Sequence, residues 1–352
     1  MTSTSSIVRP VILAGGAGTR LWPLSTAQAP KHLLPLLGPS TLFDETLERV
    51  SNDPLFADPI VVANVAQEEA LAGLLSGLSN ARLLLEPVKR DSGPAIALAA
   101  VAAEDDELLL ICPSDQHVAD AEAFREAVRS GAEAARDGAI VTFGIEPDHP
   151  ATGFGYIQAG TGDSAAKPVV RFVEKPPLDA AEAMIAAGGH YWNAGIFLAS
   201  AATWRAAFTA HAPAMLEAAA KALSAGVTDG IVTRIDESEF SRSPAQSIDY
   251  AVMEKADRVM VVPVSMGWSD VGSWQSVHEA ADKDEAGNSV GNGHTVIDGR
   301  GNLVRSTGPR VAVVGLEDLA VIASKDAVLV IRRSDAQRVR EAAAWFAEEQ
   351  QS

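Results

Sequence analysis

The chain is 352 residues long, 47% hydrophobic and 21% charged, with aromatic residues at only 5%. That balance fits a soluble globular protein with a sizeable core built mostly from Ala, Val and Leu, and the length leaves room for two domains. A net charge of −18, from 28 basic against 46 acidic residues, opposes nucleic acid and anionic membrane surfaces as partners.

The first predicted element is a short buried strand, Val11-Ile12-Leu13-Ala14, which runs straight into Gly15, Gly16 and Gly18. Glycines at a strand end admit positive φ and let a ligand approach the main-chain N–H groups, so this stretch reads as an anion nest. Arg20, and Lys31 behind Pro30, add cations to it. It is a phosphate loop of neither common kind. Gly18-Thr19-Arg20 stands where a Walker loop ends in Gly-Lys-Ser/Thr, and Leu21 replaces the third glycine of a dinucleotide fingerprint.

Ser40 is the predicted N-cap of a helix carrying Phe43, Thr46, Leu47 and Val50. Strands are then expected at 60–63, 83–85, 108–112 and 140–143. Helices are expected at 67–78 and 95–103, and a further one begins behind Asp120 and ends at Gly138. This alternation predicts an α/β fold with a mostly parallel, Rossmann-like sheet and helices on both faces. Ligands of such sheets sit beyond the carboxyl ends of the strands, where the glycine loop and Pro113-Ser114-Asp115 fall. Cys112, at the end of an apolar run, is expected to be a buried core thiol.

The texture changes from about Asn288. Short β-like runs at 295–297, 302–304, 311–314, 319–322 and 327–330 are separated by Gly, Asp or Asn turns and followed by a helix over 335–349. This predicts a small solenoid-like module whose coil ends need covering, which makes it the expected place for homodimer contact. Residues 1–6 lack a signal-peptide pattern and no apolar run reaches membrane-spanning length, so a cytoplasmic protein without a membrane partner is expected.

Two aspartates stand out as ligand donors: Asp115 behind a buried strand, and Asp270 in Trp268-Ser269-Asp270-Val271-Gly272-Ser273-Trp274. Together they suit Mg²⁺, which takes one or two carboxylates and fills its other positions with water and phosphate oxygens. The histidines are dispersed, without zinc-ligand spacing. Between the aspartates, the Gly153, Glu174-Lys175 and Asn193 stretches offer backbone, hydroxyl-binding and phosphate-binding groups suited to a sugar phosphate.

These motifs stand in a telling order: the loop over 13–23, Pro30-Lys31, Glu86-Pro87 with 90–95, Pro113-Ser114-Asp115, 142–145 and 152–156, Glu174-Lys175-Pro176, Trp192-Asn193-Ala194-Gly195, 247–255 and 268–274. In that order the chain resembles the bacterial mannose-1-phosphate guanylyltransferases of the sugar-nucleotidyltransferase family, over roughly residues 10–330. The resemblance implies a nucleotidyltransferase catalytic domain over 1–285 and a short left-handed β-helix-like module with a terminal helix over 286–352. It implies that GMP passes from GTP to mannose 1-phosphate, with GDP-mannose and pyrophosphate as products.

By the same resemblance, Leu13, Ala14, Gly15, Gly16, Gly18 and Thr19 hold the nucleotide, while Arg20 and Lys31 neutralise its phosphates. Residue chemistry alone makes Glu86, a carboxylate just after the strand at 83–85, either an acceptor for guanine N1 and N2 donors or a plain polar strand end, and the turn with Ser92 and Gly93 would frame the base. Asp115 and Asp270 would hold Mg²⁺. Gly153, Glu174, Lys175 and Asn193 would bind the sugar phosphate. Two like charges ~4 Å apart repel by roughly 4 kcal/mol at an effective dielectric of about 20, so local cations are indispensable in a chain of this sign.

The chain departs from the family pattern at Ala17, Thr26, His32 and Ala194. It also ends without the phosphomannose isomerase domain fused to some relatives, so transferase activity alone is expected. Two alternatives stand beside this reading: a nucleotidyltransferase for another sugar 1-phosphate, and a catalytically silent subunit that binds nucleotide sugars.

Overall fold

The structure, a computed structural model, describes residues 8–16, 18–26, 29–51 and 53–349. The chain divides by packing into two units that are each discontinuous in sequence. The first takes residues 1–15, 47–113 and 118–268, and the second takes 16–46, 114–117 and 269–352.

In chain order the strands up to residue 269 are β1 (Val8–Ala14), β2 (Ile60–Asn64), β3 (Arg82–Glu86), β4 (Leu108–Pro113), β5 (His117–Val118), β6 (Ile140–Ile145), β7 (Tyr156–Ala159), β8 (Lys167–Val173), β9 (His190–Ser200), β10 (Val227–Asp229), β11 (Val232–Arg234), β12 (Val259–Val264) and β13 (Trp268–Ser269). The helices between them are α1 (Leu42–Arg49), α2 (Glu68–Leu75), α3 (Ser92–Ala102), α4 (Ala121–Arg136), α5 (Leu178–Ala187), α6 (Ala201–His211), α7 (Pro213–Ser224) and α8 (Glu237–Phe240).

The first unit is built on an 11-stranded sheet of order β10-β11-β3-β2-β1-β4-β9-β6-β12-β8-β7. Strands β11, β3, β2, β1 and β4 run parallel to one another, as do β6 and β12. The exception in the middle is β9, antiparallel to both β4 and β6. Helices cover both faces, and strand alternation shows how. Val11, Ile60, Ile111, Ile140 and Phe197 share a core with α3, α6 and α7. The alternate residues Val141 and Leu198 lie against Gly131 of α4. The Rossmann-like α/β expectation is borne out.

The composition of α3 follows from its place. Its residues 93–100 are all buried, so it lacks a solvent face, and small side chains let it pack against the sheet and against α6 and α7. It begins at Ser92, three residues ahead of the expected start, because Asp91 caps it through the Ser92 N–H. The predicted cap at Ser40 is also displaced by one residue. Thr41 Oγ1 accepts from Asp44 N, and Asp44 Oδ2 accepts back from Thr41 N at 3.0 Å. Asp120 caps α4 as expected, and Gly138 follows its end with φ +85. Cys112 is buried, and burial pushes its thiol up to about 12.

The second unit holds α9 (Trp274–Ala280), the strands β14 (Ser289–Val290), β15 (Thr295–Ile297), β16 (Leu303–Ser306), β17 (Ala312–Val314), β18 (Leu319–Ala323) and β19 (Val328–Arg332), and α10 (Val339–Glu349). One sheet has the order β14-β16-β18-β19 and a second pairs β15 with β17. The stacked rungs Ser289, Leu303 and Ala320 are parallel. Asn288 and Asn302 close the corners. Buried Asn302 donates to Leu316 O at 2.8 Å and accepts from Leu319 N, while Asn288 Oδ1 accepts from Asn302 N.

The core of this unit joins Leu303, Ala320 and Ile322 of the coils to Trp274 and Val277 of α9 and to Leu21, Leu36 and Leu42. The coils and the segment behind the glycine loop therefore share one interior. Arg305 reinforces it by donating to Leu36 O at 3.0 Å.

Candidate active site

In the second unit, five of the predicted residues meet. Lys31 heads a short 3₁₀ turn, Lys31–Leu33, and is only 4% exposed. Its ammonium donates to Asp115 Oδ2 at 3.0 Å and to the main-chain oxygen of Asp270 at 2.5 Å. Gly18, with φ +64, lies so close that a Cβ there would overlap the Lys31 side chain. Glycine is required at 18 on both counts. A Cβ on Gly16 would stand 4.0 Å from Asp115 Oδ2, so the loop passes beside that carboxylate. His117 Nδ1 meets Glu45 Oε2 at 2.8 Å, fixing the segment that carries Asp115.

Arg20 lies in the 3₁₀ turn Thr19–Leu21, whose Leu21 N–H bonds back to Gly18 O. Its guanidinium is without a hydrogen-bond partner among the described residues. Ala17 lies outside the described residues.

Asp270 sits in a tight turn. Its Oδ1 accepts from Gly272 N at 3.0 Å, Ser269 Oγ accepts from Val271 N, and Val271 is held at φ +45. A positive φ at a β-branched residue is strained backbone, the kind that gathers at functional sites. A Cβ on Gly272 would overlap the Asp270 carboxylate, so the Asp-Val-Gly order is a packing requirement. Ser273 closes a capping box with Ser276 at the head of α9, and Trp274 Nε1 donates to Trp22 O, tying this turn to the exit of the loop.

A second group of predicted residues meets in the first unit. Glu174 and Lys175 follow β8, with Lys175 at φ +44 and its Nζ 2.5 Å from Glu174 Oε1. Asn193 lies on β9 where the register against β6 shifts between Thr142 and Gly144, leaving Phe143 opposite Ala194, Gly195 and Ile196. Gly195 takes φ +67 in this bulge. That explains glycine in Trp192-Asn193-Ala194-Gly195, since a bulge re-aims the side chains beside it. Asn193 Nδ2 donates to Asp249 Oδ1 at 2.9 Å.

Gly153 is exposed and has open space around it. The close approach is made by Gly155 instead. A Cβ there would stand 2.7 Å from Glu174 Oε2, and Gly155 O accepts from Asn193 N. Gly155 and Asp249 thus belong to the group although composition and spacing gave neither a role. Behind it, Phe154, Trp192, Trp268 and His149 form an edge-to-face aromatic cluster.

Glu86 ends β3. It is 7% exposed, its Oε1 is buried with no partner, and burial pushes its carboxyl up to about 8. Leu13 and Ala14 end β1. Ser92 and Gly93 are engaged internally: Ser92 Oγ accepts from Ile248 N at 3.0 Å, and Gly93 N donates to Gln246 O at 3.2 Å.

A glycine loop, a buried lysine and paired aspartates are the parts from which phosphate-transfer sites are made. Residues 9–287 match the family model described as nucleotidyl transferase, and residues 292–343 match that of the MannoseP isomerase/GMP-like beta-helix domain. The chain belongs to the nucleotidyl transferase family. Among its relatives, the xanthan biosynthesis protein XanB of Xanthomonas campestris is 43% identical over 341 residues, 96% of this chain and 72% of that protein. The mannose-1-phosphate guanylyltransferase of Escherichia coli is 42% identical over 344 residues, 94% and 72% of the two chains. A solved structure described as mannose-1-phosphate geranyltransferase from Thermus thermophilus superposes with a TM-score of 0.86 at 35% identity, covering 97% of this chain and 99% of that one.

Proposed function

We propose that this chain transfers GMP from GTP to mannose 1-phosphate, giving GDP-mannose and pyrophosphate. The observation that carries the reading is the Lys31, Asp115 and Asp270 constellation beside Gly16 and Gly18, in a chain 42% identical to a protein named mannose-1-phosphate guanylyltransferase. In the reaction the sugar-phosphate oxygen attacks the α-phosphorus in line, and pyrophosphate leaves with its electrons and takes no enzyme atom with it. The protein's part is to position two anions and offset their charge.

The main-chain N–H groups of Gly15, Gly16 and Gly18 would receive the phosphates, with Arg20 and Lys31 as counter-charges. Glu86 would accept the guanine N1 and N2 hydrogens with its unpartnered oxygen. Asn193 and Glu174 would hold sugar hydroxyls, and Lys175 the sugar phosphate.

The hard oxygen donors of Asp115 and Asp270, one of which already draws the Lys31 ammonium, fit Mg²⁺ and would hold it. That ion, when bound, supplies charge neutralisation on the phosphates. Lys31, which holds Asp115 Oδ2 at 3.0 Å, would serve beside the ion as a counter-charge to the nucleotide phosphates.

We place the protein in the cytoplasm, where GTP is found; among the described residues no helix is long and apolar enough to cross a membrane. We also propose that 286–352 acts as a subunit-contact module of a homodimer, through the outer face of β15 and β17. There Ile297 and Val314, paired in register, are 50% and 59% exposed. The functional reading is tested by pyrophosphate release from GTP that depends on mannose 1-phosphate, with the nucleotide sugar identified by mass. Release independent of the sugar phosphate contradicts it.

A further inference from the structure

Asp249 has no part in the reading above. It opens a π-helical turn, Asp249–Met253, closed by the Glu254 N–H on Asp249 O at 3.0 Å. Such turns are rare and recur at functional sites. Its carboxylate receives Asn193 Nδ2. At the other end of the same amide, Asn193 Oδ1 accepts from Gly195 N at 3.1 Å and lies 3.4 Å from Thr142 Oγ1. Asn193 is therefore held at both ends. The amide cannot flip without placing Nδ2 against an N–H and Oδ1 against a carboxylate. What it retains for a ligand is the second hydrogen on Nδ2, a donor.

The surroundings point the same way. Burial first, and then the Glu174 carboxylate, raise the Asp249 carboxyl above the usual range, so the two acids face common ground. The Lys175 ammonium is raised chiefly by its bond to Glu174, and Tyr250 and Asp249 add to it. Asp249 is thus in the company of all three side chains proposed for the sugar phosphate.

The placing of Asp249 is the work of the first turn of α3. Ser92 Oγ accepts from the Ile248 N–H, and the Gly93 N–H donates to Gln246 O. A Cβ at 93 would stand 2.7 Å from that same oxygen and 2.8 Å from Met215 Sδ. Ser92 and Gly93 grip the segment immediately ahead of Asp249, so their contacts run to the Asn193 side of the site.

We infer that Asp249 is a positioning residue for sugar recognition: it fixes the Asn193 amide as a hydrogen-bond donor, and Ser92 and Gly93 fix Asp249. The inference rests on the assignment of Asn193 and Glu174 to the sugar phosphate, and it changes the part of Ser92 and Gly93 from framing a base to holding the sugar-side segment.

The test uses the full chain and whichever sugar 1-phosphate the wild type turns over fastest. D249A is expected to raise KM for the sugar phosphate about tenfold or more while KM for GTP stays within about twofold, because the Asn193 amide loses the bond that orients it toward one substrate only. D249N keeps an oxygen for Asn193 Nδ2 and is expected to recover to within about threefold of wild type. S92A should shift the sugar KM in the same direction by a smaller factor. V252A, a cavity in the same π-turn, should lower the melting temperature without splitting the two KM values.

D249A with an unchanged sugar KM overturns the inference, and so do D249A and S92A variants in which the GTP KM rises in parallel. A wild type that uses no sugar 1-phosphate overturns the functional reading itself.

Discussion

Lys31 Nζ stands 3.0 Å from Asp115 Oδ2 while the rest of the side chain is buried against Gly18. A cation of the chain itself thus sits on a carboxylate assigned to a metal ion. Removing it should separate two effects. K31M is expected to bind Mn²⁺ several-fold more tightly in the absence of nucleotide, because Asp115 is released, and yet to lose about a hundredfold or more in kcat/KM, because the phosphates lose a counter-charge. Electron paramagnetic resonance titration reads the first and steady-state kinetics the second. Unchanged Mn²⁺ affinity would show that Lys31 does not compete for Asp115.

Asp270 spends Oδ1 on the Gly272 N–H and its carbonyl oxygen on Lys31, which leaves Oδ2 for an ion. D270A is expected to reduce turnover by about a thousandfold at saturating Mg²⁺, with a melting temperature near that of wild type. Near-normal turnover would remove Asp270 from the metal role.

Glu86 gives a pH dependence whose sign is fixed by its surroundings. Burial pushes its carboxyl up to about 8, so at pH 7 the protonated form prevails. Guanine offers hydrogens at N1 and N2, which require the ionised form. GTP affinity should therefore rise with pH up to about 8 and fall by up to about tenfold per pH unit below it, with a proton released on binding near pH 7. Calorimetry in buffers of different ionisation enthalpy measures that proton. E86Q should abolish its release and reduce the preference for GTP over ATP; a preference left intact would assign guanine recognition elsewhere.

The same carboxyl has a stability signature. Its folded value lies above the ordinary one near 4.5, so the folded state holds a proton that the unfolded state has lost throughout that window. Wild type should lose stability relative to E86Q as pH rises from about 4.5 to about 8, by at most about 1.4 kcal/mol per unit, and no further above it. Denaturant melts at pH 5 and pH 8 measure the difference.

Gly18 is required twice over, by its φ of +64 and by the side chain of Lys31 behind it. G18A should cost about 1–3 kcal/mol of stability and displace Lys31, lowering turnover with it. Full activity in G18A would show that the loop can move away from Lys31 at little cost.

The proposed dimer is best probed by surface substitution. Cutting the chain near 286 would uncover Leu21, Leu36 and Trp274, which share their core with the coils. I297K with V314K changes only exposed positions and should give a monomer by light scattering at micromolar concentration. A mass equal to that of wild type would place any subunit contact elsewhere.

The strands and the glycine loop behind the first of them were legible because they depend on near neighbours in sequence: apolar runs closed by glycine, and an aspartate behind a buried strand. The coils near the end were legible for the same reason, through repeated short runs and Gly, Asp or Asn turns. What escaped depends on pairing across long separations. The bulge that aims Asn193 arises from the register of β9 against β6, and the contact from Asn193 to Asp249 spans 56 positions. The stretch holding Asp249 reads as a motif, but nothing local says which amide its carboxylate meets. The same holds for Gly155, whose need for a bare Cα comes from Glu174, and for Thr41, whose capping bond with Asp44 outcompetes the neighbouring Ser40.

The central claim is the pairing of guanosine triphosphate with mannose 1-phosphate. The most direct measurement is pyrophosphate release from each of the four nucleoside triphosphates against a panel of hexose 1-phosphates, with and without Mg²⁺. GTP with mannose 1-phosphate should give the highest kcat/KM, by about tenfold or more over any other pair, and only with the metal present. A different pair favoured by that margin, or equal rates across the nucleotides, would contradict the account.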